Sequence, residues 1–460
     1  MSTFFPNDLE RWSRGTWLQS PLDRIEGVCH DTRSITSGNL YVAIRGDRLD
    51  GHEFVEEAFR KGASCALVDR DFSSTSSLHV PLLTVDDTCE ALTNLAQGYR
   101  STWPGKIFGI TGSVGKTTVK ELVACVLAQK GKTTRTPGNW NNHIGVPLSL
   151  LSISPEDQFG VFEIGMSEPG ELEPLCDLLE PSWGIITTIG LAHMVHFDSV
   201  KDVAKEKATL LNALPEGGRA VLSKDEPWYS FFQEMMPCPV ITISLAGQAD
   251  YSGKLLEGHR LEVTEVRTGD TFIYQMPLPG EYIMRDALIA IAVGREHDLG
   301  ADSIGQGLKQ YTPLSMRWNT TIIQGVQWIN DAYNANPVSM RAALETFKDF
   351  HVEGNKWLVL GGMNELGALE KDAHIALGHE VAHGDWAGLI TVGKLGSLIA
   401  QGAMGEKFEL VQECLTPSEA GVVLKGLIRP GDAVLLKASR AEQLELVIGQ
   451  EPGLPVANEM

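Results

Sequence analysis

The sequence predicts an α/β protein of three domains, and three observations carry that prediction. Short apolar strand-like runs alternate with helical ones along the chain, the pattern of a mostly parallel, covered sheet. At 460 residues the chain exceeds what one hydrophobic core organises. Two short stretches, STWPGK at 101–106 and YTPLSMRW at 311–318, punctuate it and suggest units of 1–100, 101–312 and 313–460.

In the first unit, LYVAI (40–44) and SCALVD (64–69) read as strands. Between them HEFVEEAFRKGA places Phe54, Val55, Ala58 and Phe59 on one helical face. The second unit opens with KIFGIT (106–111), a buried strand. KTTVKELVACVLAQKG follows as a helix with Val119, Leu122, Val123, Val126 and Leu127 on one face, ending at Gly131. GVFEIG (160–165), WGIITTIG (183–190) and RAVLS (219–223) continue the alternation, and 240–276 reads as several short strands in an antiparallel patch. The third unit has strands near KWLVLGG (356–362), AGLITVG (387–393) and DAVLLKAS (432–439). The final EPGLPVANEM is expected to fray.

Composition excludes several classes. A net charge of −21 argues against a nucleic-acid groove or an anionic membrane surface. It leaves room for a small anionic substrate, because local Arg and Lys dominate inside a cleft. The seven cysteines contain no Cys-x-x-Cys pair, which fits a reducing compartment and no zinc site. MSTFFPNDLERWSRG lacks the long apolar core of a signal peptide. No run of about eighteen apolar residues predicts a membrane span. The expectation is an acidic cytoplasmic protein.

The stretch GITGSVGKTTVKE (109–121) has the strand–loop–helix context of a phosphate cradle. Gly112, Ser113, Val114 and Gly115 are small enough for backbone N–H groups to converge on phosphates, and the helix start adds partial positive charge. Lys116 can reach the β/γ-phosphates and Thr117 can ligate Mg²⁺. The usual pattern places a Gly at 110, where this chain has Ile.

A magnesium–nucleotide site needs further hard oxygen ligands. Glu163 ends the next predicted strand, at the edge where open α/β sheets bind ligands. His193, in GLAHMVHF, falls at the same edge, although spacing alone favours a structural histidine. TPGNWNNHIGVP carries Asn139, Asn141 and Asn142 among two Gly and two Pro, a composition that reads as a turn. In NDAYNANPVSMRAAL, Asp331 and Asn334 precede Asn336-Pro337 and a helix, so ribose or base contacts compete with plain helix capping. Arg317 sits in the second joint, where a cation can reach a phosphate on domain closure.

Taken together these motifs resemble the Mur ligase family, ATP-dependent amide-forming enzymes of peptidoglycan synthesis. The family's TGS/TxGKTT loop corresponds to Thr111–Thr118, which accounts for the residue at 110. The resemblance runs essentially end to end. It implies a small α/β N-terminal domain for a uridine nucleotide-sugar, a central P-loop ATPase-like domain and a C-terminal Rossmann-like domain. DTRSITSGNLYVAIRGDRLDGHEF (31–54), with Thr32 and Arg33, resembles the uridine-nucleotide part. GNWNNHIGVPLSLL resembles the family's Asn-rich substrate loop. DAYNANPVSM, LGGMNELG with His374, and LLKASRA fit the member that joins D-alanyl-D-alanine to UDP-N-acetylmuramoyl-tripeptide.

The resemblance implies that the Lys116–Thr118 end of the loop handles ATP and Mg²⁺. It implies that Glu163 and His193 are metal positions and that Lys207 is the lysine carbamylated in these ligases. It matches Arg317 to a catalytic arginine of the third domain. Asp331, Tyr333, Asn334 and Asn336 match the nucleotide-facing loop. It also implies a monomer acting on small molecules. Three departures stand out. Tyr282, Ile283 and Asp286 occupy the polar positions of the family's Gly-x-His-Asn-x-x-Asn-Ala, Thr209 replaces a Glu, and Gly362 replaces an Asp. Two alternatives stay open at this level: a sibling ligase adding one amino acid, and a switch or binding module that hydrolyses nucleotide without joining anything.

Overall fold

The computed structural model describes residues 2–21, 23–46, 48–72, 80–404 and 410–449. The predicted fraying of 451–460 lies outside them. Among the described residues the architecture is α/β, with three large sheets in chain order and one small two-stranded ladder. The first large sheet runs Thr16–Trp17, Leu82–Val85, Cys65–Asp69, Leu40–Val42, Val28–Cys29, parallel apart from its first pair.

The central sheet has nine strands. Lys106–Thr111 lies between Phe159–Glu163 and Trp183–Ile186, all parallel. Arg219–Ser223, Val240–Ser244 and Tyr251–Leu256 extend the parallel run, and Arg260–Glu265 and Thr271–Gln275 close the edge antiparallel. The antiparallel patch expected over 240–276 is therefore narrower. Val240–Ser244 joins the main sheet in parallel because the helix Tyr229–Gln233 carries the chain back across. Only the tight returns after Leu256 and Glu265 force antiparallel pairing. The third sheet, Asn319–Ile323, Val326–Asn330, Ala433–Lys437, Lys356–Leu360, Gly388–Val392, Val411–Cys414, is parallel beyond its first hairpin.

The helix after the phosphate loop spans Lys116–Leu127. It stops four residues before the predicted Gly131 because tighter turns, such as Gln129 N to Val126 O, end the ladder. From Thr117 to Leu127 every residue of it is buried. It packs between the central sheet and the helix Glu281–Glu296 in one apolar cluster.

The joint at 101–106 is a packed turn rather than a loose tether. Trp103 is buried and its indole donates to Asp157 O at 3.0 Å. Gly105 lies under that ring, where a Cβ would stand 2.1 Å from it. Core residues of the first unit, including Phe4, Leu9 and Tyr99, share one cluster with Leu150, Phe162 and Leu179 of the second. At the other joint Tyr311, Met316 and Trp318 are buried, and the last two adopt φ of 58° and 54°.

Candidate active site

A cleft of about 680 Å³ opens where the central sheet's strand ends face the third sheet. Its floor is the loop 113–118. Ile110, at the position of the missing glycine, lies in the buried strand, paired in register with Ile185 and Glu163. No turn is made there, so no glycine is needed. The turn comes later. Gly112 has φ 154° and a Cβ on it would meet Thr187 Oγ1 at 1.9 Å. Gly115 has φ 89°, and a Cβ there would stand 3.0 Å from Asp286 Oδ1. Only glycine meets both demands at 115. The loop is further held by Ser113 N donating to Thr188 O at 2.6 Å and Ser113 Oγ donating to Gly190 O at 3.1 Å.

Lys116 folds back over the loop, Nζ donating to Gly112 O at 2.8 Å. Burial lowers its pKa, with Glu163 opposing. Thr117 Oγ1 donates to Glu163 Oε2 at 2.8 Å, and Asn141 Nδ2 donates to Glu163 Oε1 at 2.8 Å. Burial alone would raise the Glu163 carboxyl. The charges of Lys116, Lys120 and Arg317, with the Thr117 hydrogen bond, outweigh it and hold the group below its ordinary value. A buried, ionised carboxylate meeting a hydroxyl, with a side-chain amide fixing its other oxygen, is a hard-oxygen donor set that fits Mg²⁺.

The three asparagines divide. Asn141 and Asn139 line the cleft. Asn142 also borders it, but its Oδ1 accepts from Ile144 N at 3.1 Å and Gly145 N at 2.8 Å, starting the next helix. The turn reading thus holds for Asn142, while Asn141 is drawn into the Glu163 cluster.

His193 lines the cleft with φ 57°, and its Nδ1 lies 2.5 Å from Glu365 Oε2. That bond is the largest influence holding the Glu365 carboxyl below its usual range. Among the described residues no group of three or more His, Cys, Asp and Glu side chains converges as a metal cluster. Lys207 does not line the cleft; it is buried on the helix Val200–Asn212. Burial, and then the Lys116 charge, push its amine well below the ordinary lysine value.

The third sheet supplies the facing wall. Arg317 sits 4.2 Å over the Tyr333 ring. Asp331 accepts from Trp318 N at 3.1 Å and from Lys437 Nζ at 2.6 Å. Asn334 Oδ1 accepts from Ala335 N at 2.8 Å. Asn336 caps the helix Pro337–Asp349 in a reciprocal box with Ser339. Capping is therefore what the Asn336 side chain does here. Asn336→Ala should cost about 1 kcal/mol of stability, read as a lowered denaturant midpoint. An unchanged midpoint with a raised KM for ATP would instead make it a nucleotide contact.

Thr32 and Arg33 do not line this cleft. Thr32 is buried and donates to Glu57 Oε1 at 3.2 Å, and Arg33 is exposed and paired with Asp31. Their neighbour His30 meets Trp140 of the Asn-rich loop edge-on, ring centroids 5.4 Å apart. Of the departures, Tyr282, Ile283 and Asp286 all line the cleft. Ile283 is fully buried in the apolar cluster. Burial drives the Asp286 carboxyl well above the usual value. At Gly362 a Cβ would meet Leu395 Cβ at 2.8 Å and Glu442 Oε1 at 2.9 Å.

Two lysines escaped the sequence reading. Lys120 is fully buried, its Nζ donating to Thr136 O at 2.7 Å and Gly138 O at 2.8 Å, which ties the Asn-rich loop to the phosphate-loop helix. Lys437 clamps Asp331. The signal for both was a lysine inside an otherwise apolar buried element.

This geometry agrees with the comparisons to known proteins. Three family models cover most of the chain: "Mur ligase family, catalytic domain" over 24–100, "Mur ligase middle domain" over 110–294 and "Mur ligase, glutamate ligase domain" over 316–440. The chain is 35% identical over 431 residues to the UDP-N-acetylmuramoyl-tripeptide–D-alanyl-D-alanine ligase of Bacillus subtilis, covering 92% of each. It is 32% identical to the Escherichia coli ligase of the same name, covering 94% of each. A crystal structure of MurF from Acinetobacter baumannii superposes with TM-score 0.86 at 27% identity, over 97% of this chain and 98% of that one. MurF from Thermotoga maritima in complex with ADP gives 0.78 at 25% identity, over 92% and 96%. The chain belongs to the Mur ligase family.

Proposed function

We infer that this chain is an ATP-dependent ligase that joins D-alanyl-D-alanine to UDP-N-acetylmuramoyl-tripeptide in peptidoglycan synthesis. The observation that carries the chemistry is the Lys116–Thr117–Glu163 cluster, set on the floor of a cleft whose opposite wall brings Arg317 and Asp331. The supporting relatives carry that activity in their names along the full length of the match.

In this reading ATP lies on the loop 112–118. The C-terminal carboxylate of the tripeptide attacks the γ-phosphorus, the bond to the ADP oxygen breaks, and an acyl phosphate forms. The amine of D-alanyl-D-alanine then attacks the acyl carbon, loses a proton, and phosphate leaves as the amide forms. Lys116 and Arg317 neutralise charge that spreads over the transferred group. Thr117, Glu163, His193 and carbamylated Lys207 would hold Mg²⁺, which supplies further charge neutralisation when bound. Asp331, Tyr333 and Asn334 flank the nucleotide, while Asn139 and Asn141 face the peptide. Thr32 and Arg33 lie outside the cleft, on the first unit, the place for the uridine nucleotide. Acyl phosphates hydrolyse, so the wall carrying Arg317 has to close over the loop and exclude water. Units 1–100, 101–312 and 313–460 serve as nucleotide-sugar, ATP and closing domains. The enzyme acts as a cytoplasmic monomer; no helix among the described residues is long and apolar enough to cross a membrane.

The test is ADP release. It should require tripeptide and dipeptide together; equal release without the dipeptide would leave a nucleotide hydrolase instead. A second expectation concerns the base. Tyr282 and Ile283 line the cleft with a ring and an alkyl group, and Asp286 abuts Gly115. A stacking site discriminates weakly, whereas a hydrogen-bonding one rejects analogues by about 10⁴ or more. GTP should therefore support ligation with kcat/KM within about 10²-fold of ATP. Rejection of GTP by four orders of magnitude would mean another group reads adenine.

A further inference from the structure

The segment 187–196 is gripped from three sides. Ser113 of the phosphate loop bonds Thr188 O and Gly190 O. Leu191 packs against the apolar core of the third sheet, and Met194 packs against the cluster shared by the first two units. From the third unit, Gly367 approaches so closely that a Cβ on it would stand 3.0 Å from Met194 O. Val338 Cγ2 would lie 2.6 Å from a Cβ on Gly190.

At the centre of this junction two non-glycine residues in left-handed backbone meet. His193 has φ 57°, Glu365 has φ 63°, and the ring Nδ1 lies 2.5 Å from the carboxylate. A side chain at positive φ is strained. Two such residues bonded to each other across 172 positions of sequence are held by the fold around them. A carboxylate on Nδ1 leaves Nε2 for the cleft that His193 lines.

We propose that Glu365 is a positioning residue that fixes the tautomer and orientation of His193 from the third unit. The histidine arm of the metal site is then complete only when the third unit is docked. This rests on the reading of His193 as a metal ligand.

The test uses Mn²⁺ as probe, titrated into the full-length protein with saturating ADP and followed by electron paramagnetic resonance. Glu365→Ala should weaken Mn²⁺ binding and kcat by about 10–100-fold, the range for losing such an outer partner, with KM for ATP nearly unchanged. Glu365→Asp should recover part of both. The double variant Glu365→Ala/His193→Ala should be no worse than His193→Ala alone, which a merely structural role would not produce. Weakened Mn²⁺ binding in His193→Ala with wild-type binding in Glu365→Ala overturns the inference alone. Wild-type binding in both overturns the metal reading of His193 and the inference with it. A circular-dichroism melt separates either result from misfolding.

Discussion

Lys116→Ala should leave a folded protein that ligates about 10²–10³ times more slowly, the usual loss when one preorganised charge is removed from a transition state. The structure explains why folding survives. Among the described residues the ammonium bonds to Gly112 O, and it lies at the cleft floor rather than in the apolar core. Its removal also relieves a desolvated cation, since burial already lowers its pKa. Two measurements check this: single-turnover ligation, and a thermal melt expected to match the wild type. Near-normal turnover by a well-folded variant would remove Lys116 from the phosphate site.

Lys207→Ala should be nearly inactive and partly rescued by short carboxylic acids, which return anionic oxygens to the site. Carbamylation joins a neutral amine to CO₂ and releases a proton. Its first requirement is an unprotonated lysine, and burial, with the Lys116 charge beside it, lowers the Lys207 amine in that direction. The sign of the pH effect follows. As pH falls, proton release is opposed, the carbamate reverts to an ammonium, and activity is lost on the acid side. Carbon-13 bicarbonate should label the wild type with a carbamate resonance that Lys207→Ala lacks. Full activity of the alanine variant would reject the role.

How far each residue was legible depended on the range of the interaction behind it. The strand Lys106–Thr111 and the strand Arg219–Ser223 match their predicted bounds, because an apolar run between polar breaks is local information. The phosphate loop was legible for the same reason: Gly112, Gly115, Lys116 and Thr117 act within one turn of each other. Glu163 was legible from its place at the end of the neighbouring strand.

His193 and Lys207 were not legible from spacing and rested on family resemblance. Asn142 and Asn336 look alike in sequence to Asn141, yet one holds a turn, one caps a helix and one holds Glu163. That choice is made by which backbone N–H groups the fold leaves open. Lys120 and Lys437 showed only as lysines inside apolar runs, and Glu365 not at all, since their partners lie 16, 106 and 172 positions away.

The sequence by itself determined the α/β class, the order of the units and the phosphate cradle, through periodicity and small residues at short spacing. Only the tertiary structure decided which polar side chains are buried, which are already paired, and which carry shifted charge. Desolvation and coulombic coupling depend on what surrounds a group in space, so Lys207 acquires its lowered pKa, and His193 its partner from the third unit, only once the sheets are assembled.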